Sequence, residues 1–216
     1  MFVVLSALAS SALAAPSAQQ VIAALQDTAG WSAPSQTKGV AVSTKKVAGL
    51  SVPAFRGQRT VDVSCDAYFA NVSDPSRHQA VNSMLRASRV VKKDGDTVVF
   101  YQVLDVPLLS DRYWINGAKN ERNIGGQAGH DRQTWWAEQR DDYPEIRDAV
   151  EKEYSAVFTE VNYGFWDLVP AGDGSCTVTY AVVSDPGGSI PSSAGSWASE
   201  KSLPANINSF YEAAKR

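Results

Sequence analysis

The sequence predicts an α+β fold, in which one strongly curved antiparallel sheet of about nine strands is gripped by a long C-terminal helix. Three observations support this prediction. From Gly39 onward the hydrophobic pattern has a period of two, the Asp94-Gly95 pair is a strong hairpin signal, and apolar residues recur at helical spacing over 190–215. A curved sheet of this size needs cover on its concave face, and the last helix supplies it.

The chain divides into a leader, 1–15, and one folded domain, 16–216. The leader reads MFVVLSALASSALAA, which contains no charged side chain and ends in the small-x-small pattern Ala12-Leu13-Ala14. These features are typical of a cleaved secretory signal peptide, and a buried N-terminal helix is the alternative. Export would place the domain in a secreted or periplasmic, oxidising compartment.

Each element is predicted from its hydrophobic periodicity and from the Gly and Pro residues that interrupt or end it. An amphipathic helix over 17–29 comes first. Strands over 40–44, 52–55 and 60–65 follow, separated by Gly49 and Gly57, and then a helical region over 66–84 that is broken at Asp74-Pro75. The remaining predictions are the hairpins 85–92 with 97–106, 112–121 with 132–138 and 159–169 with 176–184, the helix 143–154, and the last helix, interrupted at Pro204.

Composition and motifs argue against nucleic-acid binding and against enzymatic activity. The chain has 20 Lys and Arg against 23 Asp and Glu, so it lacks the excess of positive charge that binding to a phosphate backbone requires. The histidines, His78 and His130, fall in predicted loops or turns and are interpreted as surface residues. Since no zinc spacing, nucleophile elbow or phosphate loop occurs either, we expect no catalytic residue, metal or cofactor.

Aromatic residues are the stronger signal. Six Trp, eight Tyr and seven Phe concentrate in the predicted strands and the last helix. Such residues are usually plain core, but a curved sheet closed by a helix can also leave an apolar cavity for a ligand.

Several segments in order resemble the START domain, the lipid-transfer member of the helix-grip superfamily that also includes polyketide cyclases. These segments are 106–114 (VPLLSDRYW), 165–170 (FWDLVP), 177–180 (TVTY), 185–191 (DPGGSIP) and Leu203-Pro204. The resemblance runs from Trp31 to Phe210 and implies a lipid-binding cavity beneath the C-terminal helix.

The sequence departs from that family in three places. Tyr113 stands where the family usually has Asp, and the charged pair of some sterol-binding members would fall near Val99 and Ala118, which are apolar. A cholesterol-type charged anchor is therefore not carried over. The helix 143–154 replaces a mobile loop at the mouth of the cavity.

The START-like strand order also bears on Cys65 and Cys176. It places the strands that end and begin at these residues two strands apart, about 14 Å at ~4.8 Å per step, whereas a disulfide needs Cα atoms within about 7 Å. A bridge is not expected unless sheet coiling or a register shift brings the cysteines together.

The alternation of strand side chains places Arg112, Trp114 and Asn116 on one face of their strand, and Val99, Tyr101 and Val103 on one face of theirs. The resemblance implies that both sets face the cavity. Trp136 is placed there too, although Trp135 fits as well. The full expected set of ligand-binding residues is Val99, Tyr101, Val103, Arg112, Trp114, Asn116, Trp136, Phe165, Tyr180, Ala194, Trp197 and Ala198.

Arg112 is expected to be partly buried and therefore paired. Its partner is either an acid that fixes the sheet, Asp105, Glu138 or Asp167, or a polar group of a ligand. The resulting functional prediction is an exported, monomeric, non-enzymatic lipid-binding or transfer protein. It would shelter a sterol, hopanoid or acyl lipid and contact a membrane transiently. A cyclase or aromatase on the same fold, and a ligand-free structural or interaction domain, are the alternatives.

Overall fold

The computed structural model describes residues 15–107, 109–187 and 192–216, with the backbone alone over 192–201. The leader prediction, 1–15, therefore lies almost entirely outside the described residues. The helices are α1 (Ala18–Gln26), α2 (Cys65–Val72), α3 (Pro75–Val81), α4 (Pro144–Tyr154) and α5 (Ser192–Ala214). The strands are β1 (Ser35–Thr37), β2 (Val40–Lys45), β3 (Ala54–Val61), β4 (Leu85–Asp94), β5 (Thr97–Leu104), β6 (Arg112–Glu121), β7 (Asp131–Ala137), β8 (Val157–Phe158), β9 (Val161–Gly172) and β10 (Ser175–Asp185). Within the described part of the chain, no helix has the length and apolar character needed to cross a bilayer.

All ten strands form one sheet, ordered β1-β2-β3-β10-β9-β7-β6-β5-β4, with the short β8 paired in parallel to β6. Every other pairing is antiparallel. The sheet contains two antiparallel meanders, β1-β2-β3 and β7-β6-β5-β4. The last hairpin, β9–β10, lies between them and pairs with β3 on one side and β7 on the other. The α+β prediction, with an antiparallel sheet and a long C-terminal helix, is confirmed.

Both faces of the sheet are covered. We call the face that packs against α2, α3 and α5 the inner face, and the face that packs against α1 and α4 the outer face. The inner core includes Tyr68 of α2 and Phe210 of α5. Val21 of α1 and Val150 of α4 belong to two separate clusters on the outer face.

Local signals fix most helix starts. The Ser17 side chain accepts from the Gln20 N–H and completes a capping box at α1, and Asp74 caps α3 with Pro75 at its first turn. The helix α5 continues through the buried Pro204. The predicted interruption there is wrong, since Pro removes a single helical donor and the rest of the helix stays hydrogen-bonded.

β3 corrects the predicted pair of short strands separated by a turn at Gly57. It is one strand from Ala54 to Val61, with Gly57 in its middle. A Cβ at this glycine would lie 2.2 Å from Cδ2 of Leu203 on α5. Gly57 is therefore a point of close helix approach, not a turn.

The cysteines are joined in a disulfide, with Cα atoms 5.0 Å apart, so the expectation that they lie two strands apart is wrong. β3 pairs directly with β10, and Cys176 lies opposite Val61. Cys65 is not in the strand at all. It begins α2, capped by Ser64, and the chain turns back over the inner face towards Cys176.

Candidate ligand-binding interior

A continuous aromatic wall crosses the inner face. The rings of Trp166 and Tyr180, paired across β9 and β10, stack with centroids 4.2 Å apart. Trp135 of β7 stacks on Tyr180 at 5.6 Å, and Phe210 of α5 lies 5.2 Å from Trp166. Trp135 reaches over β9 because Gly164 has no side chain: a Cβ there would lie 2.2 Å from the Trp135 ring.

Tyr180 lies deep in the protein yet keeps accessible surface. Burial raises the pKa of its hydroxyl well above the ordinary value, against a smaller opposing effect of its side-chain hydrogen bond with Asn206 of α5. Its side chain is nevertheless only partly buried. Asn206 ties the aromatic wall to the covering helix.

A polar network lies beside this wall. The Trp114 indole donates to Oε1 of Gln102, 3.0 Å away, which fixes the orientation of the amide. The Gln102 nitrogen then donates to Nδ1 of His78 and to Oγ of Ser88, each at 2.9 Å. Nε2 of His78 donates to the Val72 carbonyl at 3.0 Å, because a carbonyl can only accept.

His78 is buried, 7% exposed, so its interpretation as a surface residue is wrong. Burial lowers its pKa from 6.5 to about 4, against the smaller raising effects of the Val72 carbonyl and Asp74. The imidazole is therefore neutral near pH 7. His130 is partly exposed instead and lies 3.1 Å from Asp167.

Two buried oxygens of the interior accept or donate no hydrogen bond among the residues that the structure describes. They are Oδ1 of Asn116 and Oγ1 of Thr159, in residues 2% and 1% exposed. Oδ2 of Asp111 and Oδ2 of Asp131 also lack a hydrogen bond, but each lies 3.2 Å from an arginine nitrogen in an ion pair.

Arg112 is buried, 5% exposed, as expected, but none of the three expected acids pairs with it. Its guanidinium donates to the carbonyl oxygens of Pro186 at 2.6 Å, Ser110 at 2.5 Å, Asp111 at 3.3 Å and Gly187 at 3.5 Å. Arg112 thus holds the start of β6 against the segment that leaves β10 towards α5. We call this arrangement the Arg112 latch.

Strand register separates the expected site residues. Trp114 lies opposite Gln102, and Asn116 opposite Phe100, so these residues share the inner face with Tyr180. Five expected residues instead lie on the outer face, so their placement in the interior is wrong. They are Val99, Tyr101, Val103, Trp136 and Phe165.

The outer-face residues have other environments. Val99, Tyr101 and Val103 pack in the cluster beneath α4, and Phe165 packs in the one beneath α1. Trp136 donates to Glu138 and borders an open groove of about 490 Å³ along α1. Ala194, Trp197 and Ala198 are on α5, but their side chains lie outside the described residues.

Sequence reasoning missed Trp166, Gln102 and Thr159 as residues of the interior, and it left Trp135 as the alternative to Trp136. Trp135 and Trp166 each lie one residue from the residue chosen for the interior, Trp136 and Phe165. No group of three or more His, Cys, Asp or Glu in the described ranges is placed to hold a metal ion.

Comparison with solved structures identifies the architecture. A STAR-related lipid transfer protein from Xanthomonas axonopodis is 21% identical, covers 87% of this chain and 99% of its own, and has a TM-score of 0.72. Human StAR-related lipid transfer protein 5 is 15% identical, with 92% of both chains covered and a TM-score of 0.78. The Zhui aromatase/cyclase from Streptomyces sp. R1128 is more distant, 9% identical over 74% of this chain and 90% of its own, with a TM-score of 0.52.

The sequence itself matches no protein-family profile and no curated protein. At these identities the structural likeness concerns the fold alone. In this chain the fold consists of the long antiparallel sheet and the C-terminal helix packed across its inner face. The chain therefore has the helix-grip fold of START domains.

Proposed function

We propose that the protein binds an apolar ligand, a lipid, between the inner face and α5, and carries it through an aqueous compartment. The observation that supports this most directly is the aromatic wall, in which the partly buried ring of Tyr180 stacks on Trp166. Trp135 and Trp166 extend the same wall. Stacked aromatic rings with few polar groups are typical of pockets for apolar ligands.

The proposal is a carrier, not a cyclase. Catalysis of ring closure would call for an acid or base free to reach the substrate. His78 has both ring nitrogens hydrogen-bonded, Arg112 is held by carbonyl oxygens, and the Tyr180 hydroxyl is hydrogen-bonded to Asn206. The Zhui enzyme shares the fold with this chain, and fold alone does not transfer an activity.

Ligand exchange would require α5 to move away from the sheet. The segment that precedes α5 is held at its start by the Arg112 latch, through Pro186 and Gly187. The same end of the molecule presents exposed apolar residues. Leu109 is 51% exposed in the loop before Arg112, and Met84 is 39% exposed where its carbonyl accepts from Asp105 at the end of β5.

We propose that this end meets the membrane during exchange. Replacing Leu109 by Asp should reduce co-sedimentation with phosphatidylcholine vesicles and slow lipid transfer between them, while leaving the thermal midpoint unchanged. Val90→Asp is the matched control, since Val90 is 42% exposed on β4 away from that loop. Equal losses in both variants would refute a specific docking end.

Export is part of the proposal and is supported by two features. The leader resembles a signal peptide, and the Cys65–Cys176 disulfide suits an oxidising compartment. We also propose a monomer. Analytical ultracentrifugation tests the second point, and N-terminal sequencing of the protein recovered from its host tests cleavage near Ala14 or Ala15.

Native mass spectrometry of the protein purified from its host tests the central claim. A discrete mass increment that organic solvent extracts, and that lipid analysis identifies, is the expected result. Full-length Trp135→Ala and Thr134→Ala provide a matched pair, because these neighbours on β7 face opposite sides of the sheet. Lower ligand occupancy in the first variant alone is expected. Protein that carries no guest and takes up none from vesicles would refute the proposed function.

A further inference from the structure

Asn116 and Thr159 lie close together on the inner face. Thr159 continues the parallel pairing of β8 with β6, since its N–H donates to the Tyr113 carbonyl at 2.8 Å. Phe158 packs on the Tyr113 ring on the outer face, so the next side chain, Thr159, points inward. Extending the parallel register Arg112↔Val157 and Tyr113↔Phe158 by one residue places Thr159 level with Trp114. Its Cα is then about 8 Å from that of Asn116, at ~4.8 Å between strands and ~3.3 Å per residue.

The indole of Trp114 does not cover the space between them. It turns towards β5, on the other side of β6 from β8, and donates there to Gln102. Oδ1 of Asn116 and Oγ1 of Thr159 are thus two buried polar atoms on one wall, without a partner among the described residues. Buried polar groups in folded proteins are almost always hydrogen-bonded, and an unpaired one is destabilising.

We propose that Asn116 and Thr159 form the polar anchor of the interior and select ligands whose apolar body ends in a neutral group that both donates and accepts a hydrogen bond, such as an alcohol. Oδ1 of Asn116 can only accept, whereas the Thr159 hydroxyl can donate. An alcohol O–H satisfies both: it donates to the asparagine and accepts from the threonine. A primary or secondary amide has the same pair of functions. This inference rests on the proposed lipid-binding function.

The anchor disfavours a charged head group. A buried carboxylate or phosphate needs a paired cation, because desolvating an unpaired charge is far more costly than desolvating a hydroxyl. The cation that shares the face of Asn116 on β6 is Arg112, and its guanidinium is already held by the carbonyls of the latch. Asn116 would also present its carbonyl oxygen to the anion.

Displacement of the neutral fluorescent probe N-phenyl-1-naphthylamine from the delipidated full chain tests the anchor. The competitors are 1-hexadecanol, hexadecanamide, methyl hexadecyl ether and hexadecanoate, together with cholesterol and its 3-methyl ether in case the interior prefers a ring system. The alcohol and the amide should bind roughly tenfold or more tightly than the ether with the same body. Hexadecanoate should bind no better than the ether.

Two variants carry the test further. Asn116→Leu and Thr159→Val remove the hydrogen-bonding groups at nearly constant shape, and either should abolish the preference for alcohol over ether while ether binding persists. Thr134→Val, on the outer face of β7, is the matched control and should keep the preference. The Thr159 variant decides the question if the Asn116 variant does not fold.

The outcomes separate the two proposals. Equal affinity for alcohol and ether, or a preference for hexadecanoate, overturns the anchor and leaves the carrier function standing. A preference that survives in either folded variant also overturns it. Failure of every lipid and of the probe to bind overturns the carrier function, and the anchor with it.

Discussion

The buried His78 makes the protein lose stability at mildly acidic pH. The unfolded chain binds a proton at this residue near its ordinary pKa of 6.5, whereas burial lowers the pKa in the folded protein to about 4. Between these values the unfolded state binds more protons than the folded state, so the free energy of unfolding falls as the pH falls from about 6.5 towards 4. Below that window both states are protonated and the contribution stops changing.

The magnitude follows from the size of the shift. At 1.36 kcal/mol per pKa unit the full loss is about 3 kcal/mol, of which about 2 kcal/mol is reached between pH 7 and pH 5. Besides burial, hydrogen bonding favours the neutral imidazole. Nδ1 accepts from Gln102, whose amide is held in that orientation by Trp114. Protonation would set two donors against each other beside the ring of Phe210, 5.2 Å away.

Urea denaturation of the wild type and of His78→Gln at pH 7 and pH 5 measures this contribution. The wild type should lose about 2 kcal/mol more than the variant across that interval, whatever the two stabilities are at pH 7. The matched control, His130→Gln, keeps His78 and should behave as the wild type does. If His78→Gln loses as much stability as the wild type, the imidazole is not held neutral in the interior and the argument fails.

Three further changes test the packing. Replacing Cys65 and Cys176 together by Ser removes a cross-link across 111 residues and should lower the free energy of unfolding by about 4–5 kcal/mol on the loop-entropy model, whereas a loss below ~1 kcal/mol in urea would contradict a closed bridge. Gly57→Ala should lower the thermal midpoint and speed hydrogen exchange in α5, because its Cβ would lie 2.2 Å from Leu203; unchanged exchange would show that the helix does not rest on β3. Arg112→Leu should destabilise the protein and loosen the segment after β10 with lipid selectivity unchanged, and loss of binding without loss of stability would show that the guanidinium contacts ligand instead.

Elements set by neighbouring residues could be predicted from the sequence. The hairpin at Asp94-Gly95 joins β4 to β5 as expected, and α2 and α3 meet at the predicted break, Asp74-Pro75. These signals act over two to four residues, through turn geometry and helix capping, so no knowledge of the rest of the chain is needed.

The neighbours of β3 could not be predicted in the same way. The strand pairs with β10, more than one hundred residues later, and this pairing brings Cys176 opposite Val61. No local pattern encodes such a partner. The position of Cys65 was a second source of error, because the strand-like run 60–65 contains the capping residue of a helix, Ser64, and ends in the first residue of that helix.

The faces of the central strands were hard to assign because both are buried. When helices cover only one face of a sheet, apolar and polar residues alternate and mark the inner side. Here α4 covers the outer face of β5, so Val99 and Phe100 are both apolar although they point in opposite directions. An assignment that is wrong by one residue then places every inner-face residue of the strand on the outer face, and the reverse.

Glycines within strands make room for large side chains on both faces of the sheet. An interior glycine in a strand often marks close approach by another group, and Gly164 lies two residues before Trp166, so the two share a face. The space above this glycine admits Trp135 from the next strand. Gly117 of β6 admits Trp136 on the outer face in the same way, since a Cβ there would lie 2.5 Å from the Trp136 ring. Tyr180, opposite Trp166, follows by register. The glycines therefore assign the two tryptophans only once the strand register is known, and that register leaves Phe165 and Trp136 on the outer face, where neither can contact a ligand beneath α5.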